Sequence, residues 1–371
     1  MNFLRICQLA SLHSGRTNLE YLKMKLARLP DHPRDVPWPR ENWPKSAFDF
    51  SQTQQRLLEE LFSDIGPTGT TYALAIIKDG FLIYENYHGE LASFTQAPTK
   101  VAQDTKLISW SMAKSVLHAV YGILNKNKLI TPLDRVPIDN WCSRGDPRAT
   151  ITVDHLLTMR DGLDFREDYT DAGTSDVIEM LFGTGKNDVS NFAISKKILH
   201  EPGKHFNYSS GTSNILSRIV AQLVGFGSLY EEFLHKELFE PIGMSSAQVT
   251  FDDKGVWVAS SYLYASALDF AKFGYLYLRD GIFDNKQILP RGWVDYARTP
   301  QAVDPESGYG YGAHWWVNND RLGTFWASGY EGQIIAVVPL LDLVIVRLGR
   351  TTLENKTSVL DWLQAIIASF A

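Results

Sequence analysis

The chain has 371 residues, 44% hydrophobic, 12% aromatic and 21% charged, an ordinary globular composition that excludes disordered and fibrous classes. Its 36 Lys and Arg against 42 Asp and Glu leave a formal charge of −6, with no cation excess to neutralise a phosphate backbone, so a nucleic-acid role is excluded. The length calls for two domains or for one domain with a large insertion.

The longest charge-free runs, such as 255–268, fall short of the roughly 18 to 20 apolar residues that span a bilayer, so no membrane role is expected. The N-terminus MNFLRICQLASLHSGRT lacks a small-x-small cleavage site, and a cytoplasmic location is expected. Only Cys7 and Cys142 are present, which gives neither a disulfide framework nor metal-ligand spacing.

In chain order, residues 28–48 hold five prolines with Trp38 and Trp43, which predicts an extended arm on the surface. A helix is expected over 52–62. The run 71–89 reads as two strands around Asp79-Gly80, a strong hairpin signal. Helices are then signalled by Thr152 before VDHLLTM, by Ser175 before DVIEMLF, over 213–224 ending at Gly225, by a capping box Ser228-x-x-Glu231, and by Ser266 before LDFAKFGYLYL. Short aromatic and β-branched runs at 312–317, 323–327, 333–338 and 343–349 predict antiparallel strands. A last helix is expected over 356–370. Strands at both ends with helices between them predict an α/β fold of the α+β type: one body whose sheet both halves of the chain complete. The expected division is a 1–50 extension, a body of 51–104 and 301–371, and a mainly helical region 105–300. These form one catalytic unit with a cleft between two lobes.

The segment Ser109 to Ser115, SWSMAKS, opens a run to about Asn125 that is apolar nearly all round, as a buried helix must be. Ser111 and Lys114 share one face of its first turn. Burial disfavours an ammonium, so Lys114 can be neutral and accept the Ser111 proton. The helix N-terminus adds N–H groups where an oxyanion would form. With 27 Ser and 18 Lys, S-x-x-K is expected about once by chance; its place in a helix without a polar face, rather than the pattern, carries the inference. A third group is needed to pass the proton to the leaving atom, and a Tyr of lowered pKa suits this. Of Tyr84, Tyr208 and Tyr264, each in a Tyr-x-Asn/Ser pattern, Tyr208 lies in the polar loop EPGKHFNYSSG, where side chains face clefts. The competing reading is a loop aromatic packed on the surface.

Ser111-x-x-Lys114, then Tyr208-Ser209-Ser210, then Ala327-Ser328-Gly329 resemble the motifs of the serine β-lactamase and penicillin-binding-protein superfamily in its esterase-like branch. SMAKS, NYSSG and ASGYEGQ are more closely similar to the 6-aminohexanoate-dimer hydrolase (nylon-oligomer hydrolase) type. The likeness runs from about Thr71 to the C-terminus. It implies a β-lactamase-like fold, Ser111 as the acylated nucleophile, Lys114 as its base and Tyr208 as proton shuttle. It also implies an oxyanion hole of the Ser111 and Tyr330 backbone N–H groups, and substrate contacts at Tyr169, Ser210, Ser328 and Gly329. No cofactor or metal is implied, and a homodimer stays open.

Two departures from the β-lactamase pattern bear on substrate: Ser210 stands where Asn is usual and Ala327 where Lys is usual. Without that cation the site lacks the anchor for a β-lactam carboxylate, so small esters and linear amides fit better than penicillins. The alternatives are a D,D- or D-amino acid peptidase, and a silent relative that binds peptides or cell-wall fragments. Among weaker signals, His118 reads as a core residue, Gly183-Thr-Gly-Lys186 as a plain loop, and Trp110, Trp316 and Trp326 as pocket walls or core.

Overall fold

The computed structural model describes residues 25–63, 66–92, 97–143 and 145–371. Cys7 lies outside the described residues, whereas Cys142 is an exposed free thiol. Helix α1 (Gln52–Leu61) starts at a Ser51 and Gln54 capping box, and strands β1 (Thr70–Lys78) and β2 (Phe81–Tyr87) form the hairpin. Asp79 and Gly80 both take positive φ, 51° and 83°, the backbone of a type I′ turn, which favours Asp-Gly.

Strands β3 (Ala302–Val303), β4 (Gly310–Tyr311), β5 (Trp316–Val317), β6 (Phe325–Gly329), β7 (Gln333–Val338) and β8 (Leu343–Arg350) complete one eight-stranded sheet of order β3-β4-β5-β6-β7-β8-β1-β2. Every neighbouring pair is antiparallel. Strand β1 sits between β8 and β2, so the two ends of the chain share the sheet, as the sequence predicts.

The strand period of two sorts the residues onto two faces. Leu74, Ile76, Ile334, Ala336, Val338 and Ile345 face α1 and the last helix, α5 (Ser358–Ser369). Ala73, Ala75, Ile77, Ile335, Val337 and Val346 face the other way, toward α2 (Met112–Lys126) and α4 (Ala267–Leu278). Helix α3 (Ser210–Val224) packs behind α2.

Three sequence expectations are corrected, and one sheet is added to them. Helix α3 starts at Ser210, not Ser213, because Ser209 is the residue whose side chain accepts the Thr212 N–H, at 3.0 Å. This draws Tyr208 to the mouth of the helix. Ser228 is not a cap: the chain enters Ser228–Leu234 through Gly227 in a left-handed conformation, φ 61°, with no side-chain cap. The Pro-rich arm is extended but not merely superficial, since Trp43 is buried in the core and donates its indole N–H to Leu268 O at 3.1 Å. A small sheet that the sequence did not signal pairs Leu263–Ala265 with Leu107–Ile108 on one side and Gln248–Val249 on the other; it fixes the entry to α2, where Ser109 N donates to Leu263 O at 2.8 Å. Among the described residues no helix is long and apolar enough to cross a membrane.

Candidate active site

Ser111 is the N-cap of α2, and the preceding residue, Trp110, is held in the left-handed region at φ 44°, a conformation sparsely used by residues with a Cβ and concentrated at functional turns. The Ser111 hydroxyl caps no backbone N–H. It meets Lys114 instead: the Lys114 Nζ lies 2.9 Å from Ser111 Oγ, 3.0 Å from Ser210 Oγ and 3.0 Å from Ser260 O. Lys114 is 1% exposed, and burial pulls its pKa down to about 8, with the charge of Glu167 working in the opposite direction.

Hydrogen-bond polarity gives this cluster a direction. Ser210 donates its hydroxyl to Glu167 Oε1 at 2.5 Å, and its backbone N–H goes to Glu167 Oε2 at 2.7 Å. Its oxygen must therefore accept from Lys114. The Ser260 carbonyl can only accept. Two Lys114 protons are thus committed, and in the neutral amine the lone pair faces Ser111. Asn214 on α3 secures the third partner, accepting from Ser260 N at 3.2 Å and donating to Ser260 Oγ at 3.2 Å.

Tyr208 packs on Tyr311 and Trp316, with ring centroids 5.8 and 5.5 Å away, and its ring lies 5.0 Å from Lys114 Nζ. Burial and the Glu167 charge push the Tyr208 hydroxyl above the ordinary phenol value, against the pull of a Ser111 hydrogen bond. The lowered pKa expected from sequence is therefore corrected: Tyr208 is a neutral phenol. Tyr169 has 36% of its surface exposed, yet its hydroxyl turns inward to donate to Glu167 Oε1 at 2.5 Å. Its ring stacks on Tyr330 at 5.2 Å.

On the sheet side, Ser328 and Gly329 end β6 and Tyr330 begins the turn to β7. A Cβ at Gly329 would lie 2.3 Å from Ser109 O, so only glycine lets the strand end approach the nucleophile turn this closely. The Trp110 ring meets Tyr330 edge-on at 5.8 Å and Tyr262 at 6.2 Å.

The structure thus gathers Ser111, Lys114, Tyr208, Tyr169, Ser210 and the Ser328–Tyr330 turn at one end of α2. Ser210 is 1% exposed, and its hydroxyl is already engaged by Lys114 and Glu167. Ala327 is buried in the core. Trp326 packs under α5 on the opposite face, whereas Trp110 and Trp316 border the site. His118 is a core residue, its Nδ1 2.7 Å from Tyr277 OH. The residue that sequence reasoning missed is Glu167. The segment DFREDYTD offers several acids and no periodicity to single one out. Proximity to Tyr169 was the one available hint.

The chain matches the Beta-lactamase family over residues 68–369. It is 24% identical over 266 residues to 6-aminohexanoate-dimer hydrolase of Paenarthrobacter ureafaciens, covering 67% of each chain. A Bacillus anthracis protein provisionally named as a 6-aminohexanoate-dimer hydrolase has the same fold, with a TM-score of 0.72 at 20% identity over 94% of this chain and 93% of that one. The octameric penicillin-binding protein homologue of Pyrococcus abyssi superposes with a TM-score of 0.64 at 21% identity over 86% of this chain and 78% of that one. The family match takes in the whole sheet and every residue of the Ser111 cluster, and the chain belongs to the Beta-lactamase family.

Proposed function

We propose that this protein is a serine hydrolase that cleaves carboxylic esters or linear amides of small molecules through an acyl-enzyme. The observation that carries the reading is the polarity of the Lys114 contacts: two partners that take its protons and a third, Ser111, that faces its lone pair. Ser111 Oγ attacks the carbonyl carbon as Lys114 takes its proton. The developing oxyanion is received by the backbone N–H groups of Ser111 and Tyr330. Tyr208, a neutral phenol beside Lys114 and Ser111, gives its proton to the departing alcohol or amine and recovers one from Lys114. Water, deprotonated along the same route in reverse, then releases the acid and restores Ser111.

Tyr169, Ser328 and Gly329 would border the substrate, with Ser210 behind them holding Lys114. Rings of Trp110, Tyr169, Tyr330 and Trp316 wall the site. With Ala327 buried in place of a cation, the site supports uncharged acyl groups over the β-lactam carboxylate. The relative named 6-aminohexanoate-dimer hydrolase favours a linear amide among the candidates.

The test compares wild type and Ser111→Ala on a chromogenic short-chain ester and with a fluorophosphonate probe, followed by intact mass. Wild type should turn over and take one label on Ser111, and the variant should do neither. Equal turnover by the two proteins, or a label elsewhere, overturns the mechanism. A panel of linear amides, cyclic amides, D-peptides and penicillins then ranks the substrate classes.

A further inference from the structure

Strand β8 carries a guanidinium in the middle of the sheet. Arg347 is fully buried, and none of its hydrogen bonds goes to a carboxylate. Its Nε donates to Thr71 Oγ1 at 3.1 Å, one terminal nitrogen to Glu331 O and Gly332 O at 3.0 Å each, and the other to Thr68 O at 2.9 Å and Thr70 O at 3.3 Å. All five N–H groups are used. Burying a cation against neutral acceptors alone is expensive, and an apolar residue of equal volume would join two strands at lower cost.

The backbone is shaped to admit this side chain. A Cβ at Gly332 would lie 2.7 Å from an Arg347 terminal nitrogen, and one at Gly349 would lie 2.6 Å from the guanidinium carbon. The acceptors fall into two groups. Three belong to residues 68–71, which lead into β1, and two to the turn Tyr330–Gly332. That turn is strained, with Glu331 in the left-handed region at φ 60°, ψ 20°. Gln333 closes it from the other side, donating to Tyr330 O at 3.0 Å and Gly349 O at 2.6 Å while accepting from Gly349 N at 2.9 Å.

We infer that Arg347 is a positioning residue for catalysis: it ties the Tyr330–Gly332 turn to the start of β1 and so fixes the Tyr330 N–H opposite Ser111. The inference rests on the serine-hydrolase reading above. A misplaced turn would leave ground-state binding intact and weaken only the hold on the tetrahedral oxyanion.

The test uses Arg347→Met and Arg347→Lys. Fluorophosphonate titration to completion gives the concentration of active sites, so that kcat refers to folded enzyme alone. For Arg347→Met, kcat per labelled site should fall about 10²-fold, the usual size of a lost oxyanion donor. The inhibition constant of a boronic acid, which mimics the tetrahedral state, should rise by a similar factor while KM stays within about threefold. Arg347→Lys, which retains the charge but reaches fewer acceptors, should fall between. A variant with lowered Tm but wild-type kcat per site and boronate affinity would reduce Arg347 to a structural bolt and overturn the inference. If Arg347→Met does not fold, Arg347→Lys decides by the same two readouts. Absence of Ser111 labelling in the wild type would instead overturn the hydrolase reading, so the two failures are distinct.

Discussion

The two faces of the central sheet are built on opposite principles. On the outer face, Leu57, Leu58 and Leu61 of α1 and Val359, Trp362, Leu363, Ile366 and Ile367 of α5 close over Leu74, Ile76, Ile334, Val338 and Ile345. The cluster is apolar apart from two buried polar side chains, Gln54 between α1 and α5 and Arg347, which pairs with Leu74 and Ile334 of this face, and the Trp362 indole N–H is satisfied by Leu57 O at 2.9 Å. On the inner face, the apolar layer under α2 and α4 gives way at the α2 N-terminus to buried Lys114, Ser210, Asn214, Ser260 and His314. There His314 donates from Nδ1 to Leu157 O at 2.7 Å and accepts from Ser213 Oγ at 3.0 Å. Burial, aided by the Lys114 charge, drives its pKa to about 3, so it stays neutral. Apolar burial stabilises without demanding direction. Buried polar groups cost stability unless every bond is made, and in return they hold atoms in fixed orientations. The difference teaches that apolar stability and the reacting groups are drawn from opposite sides of one sheet, with Arg347 the polar exception on the outer face, so substitutions away from Arg347 should separate them.

The strongest way to break this division is Lys114→Met. It removes the base while leaving a side chain of similar length, and kcat per labelled site should fall by about 10³-fold, within the range for lost acid–base catalysis. Tm should move by only a few degrees, because the desolvated ammonium that is removed offsets the two acceptors left unpaired. A large fall in Tm would show that the polar cluster also bears the fold. Wild-type kcat would remove Lys114 from the mechanism.

The apolar part of the outer face was readable from the chain, and half of the inner one. The short β-branched runs 333–338 and 343–349, and Asp79-Gly80 between two β-rich runs, follow from local rules that act within a few residues. Ser111 and Lys114 were readable because three residues on a helix make one face. Glu167 was not, since it meets Ser210 from 43 positions away and sits in a loop where no periodicity marks one acid over the next. The start of α3 was misplaced because Ser209, Ser210 and Ser213 are all chemically fit to cap, and tertiary contacts choose between them. Arg347 reads in sequence as one polar residue in an apolar strand, and its five acceptors exist only once β1 and the Tyr330 turn meet on β8.

A middle-sized effect should come from Glu167→Gln. If neutral Lys114 is the working form, kcat/KM of the wild type rises with pH and levels off above an apparent pKa near 8, the value to which burial brings the ammonium. The Glu167 charge opposes that burial, so removing it lowers the Lys114 pKa further and moves the acidic limb to lower pH. The amide also presents N–H to a donor, Ser210 N or its hydroxyl, so the plateau should fall by about tenfold, the cost of one lost charged hydrogen bond. A pH–rate profile of the two proteins checks both. A limb that stays in place, or moves to higher pH, would separate Glu167 from Lys114.

The smallest effect on turnover should come from the opposite face. Ile366→Ala on α5 opens a cavity beneath a fully buried side chain, at a cost of about 2 to 5 kcal/mol. Tm should fall by roughly 1 to 2 °C for each kcal/mol in a chain of this size. Yet the strands that α5 covers reach the site through the end of β6 and the Tyr330–Gly332 turn between β6 and β7. That turn is hydrogen-bonded by Arg347 and Gln333 from within the sheet, and α5 meets it only near Val359, two turns from Ile366. With the protein folded at 25 °C, kcat/KM should therefore stay within about twofold of wild type. A loss of kcat as large as that of Glu167→Gln would mean that packing under α5 is transmitted through the sheet to Ser111, and the two faces would no longer be separable.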